Sequence, residues 1–350
     1  MSGDGSLLAL SAPQQTITGA NLGDPGDNPN QGIVAKNYDR AGAVYLYQYN
    51  GTEYNHVQRI VATVVKGCMH FGKAIGVSRS GAMLLASASG YRCMGTESDI
   101  AANLPYGFAD ESCDGDADAF DGLGVIYVFK NSTASDQGGV NGAWEEQQLI
   151  RPNTEDDVRG DNFGFILKLS GDEKTIVAGY SSVEDKTLAG LYVIKWNATS
   201  LAWETATKLL IQNDDNSIAS PRAAAVSANG SIIVATAASR TVVFVSAGDS
   251  WVQYNLTKPP GSKSFGYSSA SISDDGRRIL IGAPGESDLL GAVYVYQLRS
   301  TNYWVQANMV VAKDQAEQKR RGKSGPDPED LQAASPTYFG LTGLTGRRTQ

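Results

Sequence analysis

The stretch from Phe265 to Asp314 is the most complete copy of a repeat, and it decides the fold. Its landmarks in chain order are Phe265-Gly266, Ser273-Asp274-Asp275-Gly276, Ile279-Leu280-Ile281-Gly282-Ala283-Pro284, Gly291-Ala292-Val293-Tyr294-Val295-Tyr296 and Trp304. Runs of alternating and β-branched apolar residues are typical of strands. Ser-Asp-Asp-Gly is typical of a tight turn, in which Gly276 can take the positive φ that other residues avoid. The stretch therefore predicts one four-stranded antiparallel sheet.

The same landmarks recur in the same order along the chain. The turn recurs at Ser2-Gly3-Asp4-Gly5, Ser78-Arg79-Ser80-Gly81, Ser170-Gly171-Asp172-Glu173 and Ser227-Ala228-Asn229-Gly230. The third strand recurs from Gly42, Gly124, Gly190 and Thr241, and the fourth strand carries Tyr54, Trp144, Trp203 or Trp251. Phe-Gly opens further copies at Phe71, Phe163 and Phe339, whereas the fourth copy has Pro221-Arg222 nearby. Because a single sheet cannot bury both of its apolar faces, five copies predict an all-β propeller of about five four-stranded antiparallel blades.

These motifs resemble the FG-GAP repeats of integrin α-subunit β-propellers and of many extracellular repeat proteins. The fullest match is the copy that begins at Phe265, and the resemblance covers roughly residues 1–312 and resumes at Phe339. It implies an extracellular or cell-surface module for binding or adhesion. In integrin propellers, ligand contacts the loops between strands two and three and between strands four and one. The fold is specified better than the function, since propellers support both binding and catalysis.

We predict three segments: the propeller at 1–312, a flexible linker at 313–335 and a closing strand within 336–350. The linker combines charge with Pro and Gly, which argues against a packed structure. Since the chain opens in a turn between strands one and two, blade one is expected to lack its first strand. We expect Phe339–Thr345 to pair antiparallel with Leu7–Ser11 and to close the ring, because open sheet edges promote aggregation. The alternative is a fragment of a six- or seven-bladed propeller.

Composition excludes some partners. The net charge of −8 and the pI of about 4.9 argue against non-specific nucleic-acid binding. No run of 18 apolar residues occurs, so we expect no direct membrane insertion. No signal peptide precedes the first repeat, and the sequence leaves open whether the chain is a fragment or an intact protein.

Two long insertions lie between strands two and three, at Ala20–Arg40 and Gly90–Asp121, and we expect only tight turns on the opposite face. Binding residues concentrate on loops held by a rigid scaffold. The insertions therefore predict a ligand surface for a protein or a carbohydrate. Its candidate residues are Asp24, Asp27, Tyr91, Tyr106, Phe108 and Asp110.

The second insertion also contains the only candidate metal site. Hard cations such as Ca²⁺ take six to eight oxygen ligands, and alternate carboxylates in a loop can converge on one ion. Such carboxylates stand at Asp114, Asp116, Asp118 and Asp121. The spacing departs from EF-hand and integrin loops, and an acidic solvated loop is the alternative. The short Ser-x-Asp-Gly turns are too brief to enclose an ion.

The three cysteines are Cys68, Cys93 and Cys113. We predict a disulfide between Cys93 and Cys113, because both lie in one flexible insertion and closure causes little strain. In the chain-entropy model such a bond contributes roughly 3 kcal/mol. The alternative is three free thiols in a reducing compartment.

Catalytic signatures are scarce. His56 and His70 are the only histidines, and neither a nucleophile elbow nor a metalloprotease motif occurs. We therefore favour a non-enzymatic binding or adhesion module. A glycoside hydrolase or lyase on the propeller scaffold is one alternative, and it requires two or three converging carboxylates. A structural repeat segment of a larger surface protein is the other.

Five N-glycosylation sequons accompany the repeats, at Asn50, Asn131, Asn197, Asn229 and Asn255. All except Asn255 fall in turns between strands one and two or strands three and four, which share one end of a blade. Glycans there leave the insertion-bearing face free, although Asn-Gly is also a favoured hairpin sequence.

Overall fold

The structure is a computed structural model, and every regular element that we assign in it is a β-strand. It describes residues 1–18, 37–63, 65, 68–90, 124–131, 144–151, 162–181, 189–238, 240–248, 250–267, 269–286 and 291–311. The predicted linker and closing strand lie outside the described residues. No helix in these ranges is long and apolar enough to cross a bilayer.

The strands in chain order are β1 (Leu7–Ala12), β2 (Ile17–Thr18), β3 (Asn37–Tyr38), β4 (Ala43–Tyr49), β5 (Tyr54–Ile60), β6 (Phe71–Val77), β7 (Met83–Ala88), β8 (Val125–Asn131), β9 (Trp144–Ile150), β10 (Leu167–Leu169), β11 (Thr175–Ser181), β12 (Ala189–Asn197), β13 (Ala202–Leu209), β14 (Ile211–Gln212), β15 (Ile218–Ala219), β16 (Pro221–Val226), β17 (Ile232–Ala237), β18 (Thr241–Ala247), β19 (Ser250–Leu256), β20 (Ala270–Ile272), β21 (Arg278–Ala283), β22 (Ala292–Ser300) and β23 (Tyr303–Val310).

Each repeat forms one up-and-down sheet, as the sequence predicts. Sheet 1 has the order β1-β4-β5, sheet 2 β6-β7-β8-β9, sheet 3 β10-β11-β12-β13, sheet 4 β16-β17-β18-β19 and sheet 5 β20-β21-β22-β23. Among the described residues sheet 1 therefore has three strands, and its missing strand is the first, as expected. Two short ladders, β2-β3 and β14-β15, complete the described strands.

The chain divides into two compact units, residues 1–169 with 178–208 and residues 170–177 with 209–350. Within the first unit, sheets 1 and 2 pack face to face through a core that includes Leu7 and Leu46 from one sheet and Phe71 and Leu84 from the other. Within the second unit, Val234 and Val243 of sheet 4 pack on the face of sheet 5 that carries Ile279 and Tyr296. Successive four-stranded sheets packed in this way are the arrangement of propeller blades.

The serine turns are self-contained hydrogen-bonded units. In sheet 5 the Ser273 hydroxyl donates to Asp275 (2.6 Å) and accepts from the Arg278 N–H (2.9 Å). The Ser2 and Ser170 turns repeat this pattern. The Ser2 hydroxyl is the main reason why the pKa of Asp4 falls to about 2. The turns thus use their carboxylates for local structure.

Neighbouring turns also bond to each other. The Gly3 N–H donates to the Arg79 carbonyl (2.9 Å), and the Ala228 N–H donates to the Asp274 carbonyl (3.1 Å). The turn glycine lies against the previous sheet: a Cβ at Gly276 would come within 2.4 Å of Ile232 Cδ1. The glycine is therefore required by packing between sheets as well as by its φ of 71°.

A glutamine on the fourth strand links sheets 2 and 3 inside the first unit. The Gln148 side chain accepts from the Trp203 N–H (2.8 Å) and donates to the Trp203 carbonyl (2.9 Å). Gln58 makes a related contact, accepting from the Trp144 N–H (3.1 Å). The repeat motifs alone do not predict these contacts.

Gln148→Ala is expected to destabilise the protein by about 1–3 kcal/mol, because it leaves backbone groups of Trp203 unpaired. The neighbouring exposed Gln147 supplies the matched control, and Gln147→Ala should change stability by less than about 0.5 kcal/mol. Urea denaturation of both variants measures the difference. Equal stabilities of the two variants would show that the Gln148 contact contributes nothing to the free energy of unfolding.

Several boundaries differ from the sequence predictions. The predicted loop Ala20–Arg40 ends in strand β3, because Asn37–Tyr38 pairs with Ile17–Thr18. The fourth strand of sheet 1 ends at Ile60. The link between sheets 3 and 4 contains the hairpin β14-β15, which is held by an ion pair between Arg240 and Asp214 (2.6 Å). Twelve residues, 132–143, join β8 to β9, so the expectation of only tight turns on that face is wrong.

Candidate functional site

The two insertions leave the first unit at neighbouring points. The first insertion begins and ends at the β2-β3 ladder, where the Thr16 hydroxyl donates to the Asp39 carboxylate (3.0 Å). The second begins after Gly90 at the end of β7. We call Thr16, Asp39, Arg40, Cys68–His70 and Gly90 the insertion base.

Residues Cys68–His70 bond to both insertion roots. The Cys68 N–H donates to the Asp39 carbonyl (2.8 Å), and the Gly90 N–H donates to the Met69 carbonyl (3.1 Å). Met69 is fully buried in the core of sheets 1 and 2. A Cβ at Gly90 would lie 2.0 Å from the Cys68 carbonyl oxygen, so only glycine fits. The insertion base thus fixes the roots of both insertions to the core.

Cys68 forms a disulfide, which corrects the sequence prediction. The chain has only two other cysteines, Cys93 and Cys113, and both lie outside the described residues. Since Cys68 takes one of them, a bond between Cys93 and Cys113 cannot form beside it. The predicted pairing failed because it assumed that nearness in sequence decides the partner.

His70 is part of the insertion base and not an ordinary rim residue. Its Nε2 atom is buried and has no hydrogen-bond partner in the described part of the chain. Burial is the main cause that lowers the pKa of the imidazole, and the positive charges of Lys73 and Arg40 lower it further. The ring is therefore neutral at pH 7. Its positive φ recurs at Asn162 and Ser264, which also precede a Phe-Gly pair, so that backbone conformation belongs to the repeat.

Stability is expected to fall between pH 7 and pH 5, in part through His70. Its folded-state pKa lies below the unfolded value of about 6.5, so the unfolded chain binds more protons in this range. Replacing His70 by Gln should reduce the slope of melting temperature against pH. His56→Gln is the control, because His56 is exposed. Identical slopes for both variants would contradict the assignment.

Sheets 1 and 5 share a tyrosine hydrogen bond at the equivalent position of the third strand. The Tyr45 hydroxyl donates to the Gln15 side chain (2.7 Å), and the Tyr294 hydroxyl donates to the Glu286 carboxylate (3.0 Å). Burial and the nearby Glu286 raise the pKa of Tyr294 to about 12. Tyr294 thus remains a protonated donor at neutral pH.

The predicted ligand residues Asp24, Asp27, Tyr91, Tyr106, Phe108 and Asp110 lie outside the described residues. So do the predicted calcium ligands Asp114, Asp116, Asp118 and Asp121. Within the described ranges, no group of three or more His, Cys, Asp or Glu side chains could hold a metal ion. Neither Cys68 nor His70 was predicted to lie in this region, and their only local signal is their position just before Phe71.

The sequons occupy the sheet ends that the sequence predicts. Asn50 lies in the β4-β5 turn, Asn131 and Asn197 end third strands, and Asn229 lies in the β16-β17 turn. The Asn131 N–H bonds to the Ala82 carbonyl, which shows that the two kinds of turn share one end of sheet 2. Asn255 instead lies within β19.

No protein-family model and no curated protein matches the chain. Several solved structures are similar to the chain in fold. The β-propeller domain of Cps50 (Swd1) from Myceliophteria thermophila has a TM-score of 0.45 at 8% identity, covering 79% of this chain and 68% of its own. Hsv2 from Kluyveromyces lactis has a TM-score of 0.41 at 12% identity, with coverages of 79% and 70%.

A candidate 6-phosphogluconolactonase from Bacteroides fragilis has a TM-score of 0.42 at 11% identity. The alignment covers 77% of this chain and 65% of that protein, slightly under two thirds of its length. Likeness at these TM-scores carries no argument about activity. The class that the structure itself defines is an all-β protein of consecutive antiparallel sheets, four of which have four strands in the described part of the chain.

Proposed function

We propose that the chain is a non-enzymatic, extracellular or cell-surface binding module, and that its ligand, a protein or a carbohydrate, contacts the two insertions of the first unit. The observation that supports this proposal is the insertion base. Cys68–His70 bonds to both insertion roots, and Cys68 forms a disulfide, so the roots of two long loops are tied to one buried scaffold. Long loops on a rigid scaffold are characteristic of binding surfaces.

The charge of the second insertion narrows the range of ligands that the surface could bind. Residues 91–123 contain eight acidic side chains and one arginine, and their aromatic residues are Tyr91, Tyr106, Phe108 and Phe120. A partner with a basic, partly apolar surface fits this composition best. The architecture that we propose around it is a ring of five blades, closed by the C-terminal strand.

A direct test replaces residues 91–121 by a short Gly-Ser linker, with Cys68 changed to Ser so that no unpaired thiol remains at the base. Binding of the parent protein to an array of defined glycans and basic peptides is measured first. The variant should keep its melting temperature within a few degrees and lose the binding. The matched control replaces residues 132–143, which join β8 to β9 at the opposite sheet end, and it should bind normally. Unchanged binding by the first variant would overturn the proposal.

Calcium is the proposed cofactor of the same insertion, through Asp114, Asp116, Asp118 and Asp121. Because an ion that binds only the folded state stabilises it by mass action, the melting temperature should rise with millimolar Ca²⁺ and fall back with chelator. Replacing Asp116 and Asp118 by Asn should remove the rise. A melting temperature that ignores Ca²⁺, with no binding heat by calorimetry, would contradict this site.

A further inference from the structure

The second unit carries an exposed pair of side chains that the insertions do not involve. The Arg222 guanidinium carbon lies 4.2 Å from the centroid of the Tyr267 ring. Tyr267 is 52% exposed, and Arg222 is exposed as well. Arg222 belongs to sheet 4, whereas Tyr267 directly follows the Phe265-Gly266 pair that leads into sheet 5.

The local sequence explains why Arg222 occupies this place. Sheets 2, 3 and 5 have Phe-Gly here, whereas sheet 4 has Pro221-Arg222. The register between β16 and β17 shifts between Pro221 and Ala223, so Arg222 is the extra residue of a β-bulge. Bulges commonly reorient a side chain away from the ladder, and here the side chain lies over the neighbouring tyrosine.

The guanidinium is held in place but lacks a carboxylate partner among the residues that the structure describes. By contrast, Arg40 pairs with Asp39 and Arg240 pairs with Asp214. A guanidinium stacked on an aromatic face keeps its N–H groups at the edge, where they can bind a carboxylate through two parallel hydrogen bonds. The segment that leads from sheet 4 to sheet 5 adds the exposed Lys258 and Lys263 at the same sheet end.

From this geometry we infer that Arg222 and Tyr267 form a binding subsite for a carboxylate-bearing sugar. The Arg222 N–H edge binds the carboxylate, and the exposed part of the Tyr267 ring packs against the apolar C–H face of the sugar. The subsite belongs to the second unit alone. It goes beyond the proposed function, which rests on the insertions of the first unit.

Galacturonic acid oligomers are the probe, and calorimetry on the full chain is the measurement. Arg222→Ala and Tyr267→Ala should each weaken binding about tenfold, which corresponds to about 1.4 kcal/mol. Arg222→Lys should restore only part of the affinity, since an ammonium lacks the planar paired donors. Arg277→Ala removes an exposed cation of sheet 5 at the opposite sheet end and should bind like the parent. The methyl-esterified oligomer should bind at least tenfold more weakly than the acid.

Three outcomes overturn the inference: no binding of the acidic oligomer, binding by Arg222→Ala within twofold of the parent, or equal weakening by Arg277→Ala, which would indicate general charge attraction. Melting temperatures of all variants confirm that each is folded. The variant lacking residues 91–121 separates the two proposals. If it still binds the oligomer, the subsite holds even where the insertion proposal fails.

Discussion

Gly124→Ala is expected to unfold the first unit. Gly124 precedes β8 with a φ of 75°, and a Cβ there would lie 2.3 Å from the Phe163 carbonyl oxygen and 2.6 Å from its nitrogen. Both obstacles are backbone atoms at the start of the next repeat, so no side chain can rotate away. The cost should exceed about 4 kcal/mol, a large part of the 5–15 kcal/mol that stabilises a typical domain.

Gly248→Ala is the matched control for backbone strain alone. Its φ is 70°, and no atom lies within 4 Å of a Cβ built there. A left-handed conformation costs a non-glycine residue about 1 kcal/mol, so this variant should remain folded. Thermal unfolding monitored by circular dichroism compares the two. Similar melting temperatures would show that the approach of Phe163 to Gly124 is looser than the distances indicate.

Gly42 stands in the same relation to Phe71, at 2.3 Å from its carbonyl oxygen. The glycine before the third strand and the Phe-Gly pair of the next repeat therefore belong to one contact. This contact gives a physical reason for two of the sequence motifs that define the repeat.

Truncation after Ala334 is expected to cost about 3 kcal/mol or more, because it removes Phe339 and the strand predicted to complete sheet 1. Loss of a buried Phe side chain alone has a cost of this size. The described structure shows what that strand has to cover. Leu10 is 48% exposed, whereas the residues at the same distance from their turn serine in the other sheets are fully buried: Ala86, Ala178, Ala235 and Ile281.

The spacing in the other sheets defines the register that this strand would take. Seven positions separate Phe71 from Ser78 and Phe163 from Ser170. With the same spacing, a first strand that begins at Phe339 would end at about Gly346, and the turn at Ser2 would follow it in sheet 1. In sheet 2, Ile75 pairs with Ala86. The equivalent pair would be Gly343 with Leu10, a small residue opposite a large one.

Truncation after Gly346 is the control, since it removes only the last four residues. Truncation after Ala334 should lower the melting temperature and increase binding of a hydrophobic dye, and the control truncation should do neither. If truncation after Ala334 leaves melting unchanged, the closed ring is wrong and a larger propeller becomes the better interpretation.

The sequence by itself determined the sheets. Turn chemistry at Ser2, Ser78, Ser170, Ser227 and Ser273 is local, and so is the alternation of apolar residues, which is why both can be read without the fold. The positions of the fourth-strand tryptophans follow from the same order. The sequence also located both insertions between second and third strands, because their ends are marked by recognisable strands.

Only the tertiary structure decided which distant residues meet. Gln148 bonds Trp203 across 55 positions, Cys68 forms a disulfide although it lies outside the loop that the sequence favoured, and Arg222 lies over a tyrosine of the next repeat. These contacts depend on how one sheet packs against its neighbour. The pattern of side chains within a single repeat does not encode that packing. Local hydrogen bonding and alternation act within a few residues, whereas such contacts are fixed only when the apolar faces of two sheets are buried together.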